Sequence, residues 1–95
     1  MASIIWTDIA IDDLKAIHDY ISRDSPRYAD RYTEKLIARV DQLVEAPLSG
    51  RVVPEFGSTD IRELIEGSYR IVYKMLNDKI AIARIHHSAR LLQQI

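Results

Sequence analysis

The sequence predicts an α+β domain, and three observations predict it. Two adjacent stretches near the start carry apolar residues at helical spacing. Three extended runs rich in Ile, Val and Tyr follow, separated by turn signals. The link between the helical stretches is short, so they should form an antiparallel hairpin. The expected architecture is an N-terminal strand, that helical hairpin, then a three-stranded antiparallel meander forming one sheet, with both helices on one face.

Each element has its own local reason. "SIIW" at 3–6 is a short apolar run and reads as a strand. Thr7 or Asp8 then offers a side-chain oxygen to the free N–H groups of a helix start. Ala10, Leu14, Ile17 and Ile21 mark that helix, which runs to about Ser22. Ser25 followed by Pro26 starts a second helix, because proline at the first helical position loses no hydrogen bond. Its stripe is Ala29, Tyr32, Leu36, Val40, Leu43 and Val44, and it stops before Pro47. Residues 47–60, with two prolines and two glycines, form a loop that holds at most a brief extended piece. Strands are expected at about 61–66, 69–76 and 80–86, the last nearly continuous in apolar residues and so suited to a central, doubly buried place.

Composition narrows the function. At 95 residues the chain is one domain with one modest core, spanning 1–95. A 47% hydrophobic and 28% charged composition is globular, so disorder is not expected. The absence of cysteine excludes disulfides and thiolate metal sites, and fits a cytoplasmic setting. No apolar run approaches the roughly 20 residues of a membrane helix, and no secretory leader is visible, so no membrane partner is expected. Residues 1–50 carry six Lys/Arg against nine Asp/Glu, whereas residues 51–95 carry seven against five. The second half is therefore the expected place for an anionic partner.

The stretch "IRELIEGSYRIVYK" at 61–74 raises a question of register, because Arg62 and Arg70 interrupt its apolar runs. With Gly67 and Ser68 as a two-residue turn, Ile65 faces Arg70, and the two arginines fall on opposite faces. Arg62 then sits among Leu64, Tyr69, Ile71 and Tyr73, a costly place for an unpaired charge. With a loop one residue longer and a bulge at a left-handed Gly67, Arg62, Arg70 and Lys74 share one face. Ile61, Ile65, Ile71, Tyr73 and Met75 then line the other, with Glu63 the only polar intruder. A one-residue slip exchanges faces, so burial favours the bulged register and a cationic face away from the helices.

"WTDIAIDDLKAIHDYI", "SPRYADRYTEKL", "LVEAPLSGRVVPE", "IRELIEGSYRIVYK" and "IARIHHSARLL" together resemble the RelE/ParE superfamily of toxin–antitoxin toxins over nearly the whole chain. "RELIEGSYRIVY" followed by "RIHHSAR" is the most specific part. The resemblance implies a RelE/ParE-like fold and a small toxin that a cognate antitoxin wraps and neutralises in a heteromeric complex. RelE-type members cut mRNA at the ribosome, and ParE-type members poison DNA gyrase without hydrolysis. Metal-free RNA cleavage by the 2′-hydroxyl needs a base, cations at the phosphate and an acid. The candidates are Glu55 as base, Arg62 and Arg70 as phosphate clamps and His87 as acid; of these, Arg70, His87 and Glu55 resemble positions of RelE-type enzymes.

Each of these residues also has a plainer role. Glu55 would be a solvated loop carboxylate, Arg70 would pair with Glu63 or Glu66 across the hairpin, and His87 would hydrogen-bond the end of the sheet. Two features favour the ParE-type branch: the chain is slightly acidic, and its 47–60 loop has no lysine cluster. The antitoxin is expected in the groove between the helical hairpin and the sheet, reaching Arg62 and Arg70 with acidic residues. Arg62, Arg70, Lys74, Arg84 and Arg90 are the candidate contacts to target or antitoxin. No cofactor is indicated, because the adjacent His86 and His87 would point to opposite faces of a strand and make a poor pair of metal ligands.

Overall fold

The computed structural model describes residues 2–88, so Arg90 lies outside the described residues. Strand β1 (Ser3–Trp6) leads into helix α1 (Asp8–Ser22). Thr7 is the N-cap of α1; its hydroxyl oxygen accepts from the Ala10 N–H. Helix α2 (Pro26–Asp41) starts as expected at Ser25 and Pro26, and a single 3₁₀ turn at Gln42–Val44 extends it. Strands β2 (Arg51–Val52), β3 (Ile61–Glu66), β4 (Tyr69–Met75) and β5 (Lys79–His87) follow.

The five strands form one mixed sheet in the order β1-β5-β4-β3-β2. The meander is antiparallel, and β1 adds in parallel along the outer edge of β5. The brief extended piece in the loop is β2, paired with Glu63 and Arg62. The central strand is β4, the most continuously buried, rather than β5. In β5, Ile80, Ile82 and Ile85 are the buried residues. Their uneven spacing has a cause: β5 carries an extra residue opposite Val72 and Tyr73, which re-aims the chain so that Ile85 returns to the core side.

The core lies between the hairpin and one sheet face, from Ala10, Ile17, Leu36, Val40 and Leu43 to Leu64, Ile71, Tyr73 and the three β5 isoleucines. A smaller cluster of Val53 and Val72, flanked by Phe56 and Ile61, sits on the opposite face under the 47–60 loop.

The register corrects the sequence expectation. Ile65 pairs with Arg70 and Glu66 with Tyr69, so Gly67 and Ser68 form a two-residue turn. Gly67 has φ +57, as the first central position of such a turn requires. The bulge lies in β5, not in this hairpin. Arg62 and Arg70 therefore occupy opposite faces, and the shared face of Arg62, Arg70 and Lys74 does not form.

Candidate functional site

Arg70, directed away from the helices, ends in a closed cluster of charge. It is only 6% exposed. Its two terminal nitrogens donate to both oxygens of Glu55 at 2.7 Å each, and its Nε donates to Glu63. Glu63 is 1% exposed, and its second oxygen accepts from Arg51 Nε at 2.6 Å. The planar guanidinium suits this forked geometry, which a lysine point charge could not reproduce. Hydrogen bonding to Glu55, strengthened by Glu63, raises the Arg70 pKa further above its already high value. Glu55 is thus no solvated loop carboxylate. It folds the loop down over the sheet and closes the Val53–Val72 cluster.

Arg62 has a different fate. It stays at the margin of the helix-facing side, opposite Tyr73, and donates to the Thr59 carbonyl at 3.1 Å and the Gly50 carbonyl at 3.0 Å. The feared cost of an arginine on that face is avoided, because the loop supplies carbonyl acceptors. Lys74 is exposed on the face away from the helices.

His87 pairs with Tyr69 at the other end of the sheet, ring to ring at 5.4 Å in an edge-on arrangement. Tyr69 in turn lies 5.9 Å from Tyr32 of α2, which places His87 on the helix side. The four expected catalytic residues are therefore divided. Arg70 and Glu55 meet on one face, His87 lies on the other, and Arg62 caps the loop. Among the described residues, no group of three or more His, Asp or Glu side chains could hold a metal ion.

On the helix side a groove of about 860 Å³ opens between the hairpin and the sheet. Tyr20, Tyr28, Tyr32, Tyr69, Arg84 and His87 line it. Tyr20 and Tyr28 are 66% and 54% exposed. Arg84 donates to both oxygens of Asp13, at 2.8 and 3.1 Å, and this pairing raises its pKa. Asp13 also accepts the Ile85 N–H at 3.0 Å and so fastens α1 to β5 beyond the end of β1. Arg62 and Arg70 do not line this groove, which corrects the expectation that a single partner there would reach them.

Sequence reasoning named Glu63 only as a plain alternative partner of Arg70, a pairing that forms, and it passed over Asp13. Both had a signal. In the two-residue register Glu63 and Arg70 share a face, and opposite charges there solve each other's burial. Asp13 stands between Ala10 and Ile17 on the buried stripe of α1, where a carboxylate needs a partner.

Comparisons with known proteins agree with this fold. The family model described as ParE toxin of type II toxin-antitoxin system, parDE, matches residues 4–92. Toxin RelE2 of Caulobacter vibrioides is 39% identical over 92 residues, which cover 96% of this chain and 100% of that protein. A solved structure titled "Chromosomal ParDE TA system from P. aeruginosa" superposes with a TM-score of 0.77 at 27% identity, covering 92% of this chain and 96% of that one.

Proposed function

The chain belongs to the ParE toxin family of type II toxin–antitoxin systems, and from that premise we propose that it poisons DNA gyrase without hydrolysing nucleic acid. One observation carries the choice: the histidine that would serve as acid lies across the sheet from the Arg70–Glu55 pair. Cleavage through a 2′-hydroxyl needs base, cation and acid around a single phosphate. Here Glu55 has both oxygens engaged by Arg70, and Arg70 has all three nitrogens engaged by carboxylates. Neither is poised to meet a substrate. Ribosome-dependent mRNA cleavage is the weaker reading for that reason.

Purified toxin is expected to inhibit supercoiling by purified gyrase, or to trap double-strand breaks, and to leave mRNA intact on programmed ribosomes. Inertness toward gyrase at micromolar toxin, with A-site cleavage of mRNA, would replace this reading with the RelE-type one.

Membership of a type II toxin family implies a cognate antitoxin. The tyrosine-lined groove suits an amphipathic segment of that partner, with rings for its apolar side and Arg84 and His87 for its carboxylates. Exposed tyrosines are frequent anchors of such contacts. Tyr28→Ala should weaken antitoxin binding about tenfold or more, roughly 1.4 kcal/mol, measured by calorimetry. Unchanged affinity would move the antitoxin elsewhere.

A further inference from the structure

The face of α2 turned away from α1 carries a feature that charge totals conceal. Arg27, Arg31, Lys35 and Arg39 follow one another at intervals of four residues, so they form one ridge along the helix. Each step advances about 6 Å, and the whole row spans about 18 Å. Arg27, Arg31 and Lys35 are exposed. The row runs toward the outer edge of β3, where Glu66 meets both Lys35 at 3.4 Å and Arg39 at 3.3 Å. A single carboxylate thus serves two cations, and no ion pair engages Arg27 or Arg31 among the described residues. Asp30 and Glu34 occupy the neighbouring row of α2, and Asp30 meets His18 of α1 at 2.7 Å.

We propose that this ridge takes the phosphate backbone of duplex DNA. The row is cationic, winds gently around the helix, and has no apolar residue of its own. A protein partner of similar extent would look for an apolar centre, whereas a polyanion does not. Duplex DNA carries a charge about every 1.7 Å along its axis, so every cation of the row finds a phosphate within reach. Three of the four are arginines, whose forks match phosphate oxygens. The choice of duplex DNA over other polyanions rests on the gyrase reading: a poison acting on gyrase engaged with DNA would hold its target and the duplex together.

Fluorescence anisotropy with a labelled 20-base-pair duplex tests the ridge with no gyrase present. Binding should weaken with salt with a log–log slope of about −3, as expected when roughly three phosphates are neutralised. The double variant R27Q/R31Q should bind about tenfold more weakly at 50 mM salt and reduce the slope by about two. Its melting temperature and antitoxin affinity should not move. Salt-insensitive or absent duplex binding by the wild type would overturn the proposal. So would equal duplex binding by the variant, or a preference for single-stranded RNA of the same length. A gyrase supercoiling assay on the wild type, run separately, reports on the gyrase reading alone, so the two failures are distinguishable.

Discussion

Arg70→Ala should lower the unfolding free energy by about 3–5 kcal/mol, the range for removing one partner from a buried ion pair. The alanine would leave Glu63, 1% exposed, with Arg51 as a partner, and would remove the two hydrogen bonds that Glu55 receives from Arg70. The loop that Glu55 holds down would lift from Val53 and Val72. Urea unfolding with an unchanged denaturant slope measures the loss directly. A change below about 1 kcal/mol would mean that the guanidinium is not the buried hub of this network. Arg70→Lys should recover only part of the loss, since an ammonium cannot serve Glu63 and both Glu55 oxygens in one geometry.

The other anchor of the same loop is Tyr73, fully buried in the core. Its hydroxyl donates to the Pro47 carbonyl at 2.7 Å and accepts the Gly50 N–H at 3.0 Å. Gly50 is required there, because an added Cβ would fall 2.6 Å from that hydroxyl and 2.7 Å from the Glu63 carbonyl. Tyr73→Phe keeps the ring and orphans both backbone groups, at a cost of about 1–3 kcal/mol in denaturant unfolding. A loss near zero would show that the hydroxyl does not hold the loop.

The variant should also change the alkaline limb of the stability curve. Burial raises the Tyr73 pKa above the ordinary phenol value. The unfolded chain therefore releases this proton first, and stability falls as pH climbs past about 10. Tyr73→Phe removes this tyrosine's share of the fall. Tyr32, raised chiefly by burial and by Glu66, keeps its own.

Much of the fold is legible in the residues themselves, because its boundaries are set locally. Thr7, Ser25 with Pro26, and Gly67 each act within a few residues, and the elements begin and end where they direct. The parallel pairing of β1 with β5 joins residues about 75 positions apart in the chain, as the Thr7–Ile82 contact shows, and no local signal announces it. The hairpin register was misread for an instructive reason. The cost of burying an unpaired Arg62 weighed against the two-residue turn, and the acceptors that remove that cost lie outside the strands. Arg62 finds carbonyls and Arg70 finds carboxylates, and in both cases the 47–60 loop supplies acceptors that strand periodicity cannot place. The basic ridge escaped for a related reason: the acids of α1 offset it in the sum for the first half, although they lie on another surface. The cationic sheet face expected from sequence is replaced by a neutralised, interior cluster.

Arg70 either supports the fold or meets a target, and one variant separates these roles. Glu55→Leu, Glu63→Leu and Arg70→Met together exchange the charged cluster for apolar side chains of similar size, a change that buried ion networks often tolerate. Supercoiling by purified gyrase is then measured with variant that melts cooperatively and retains the wild-type circular dichroism. Inhibition within a few-fold of wild type is the result predicted for a structural arginine. A folded triple variant that leaves gyrase untouched, while wild type inhibits it, would contradict the account and return Arg70 to the working surface of the toxin.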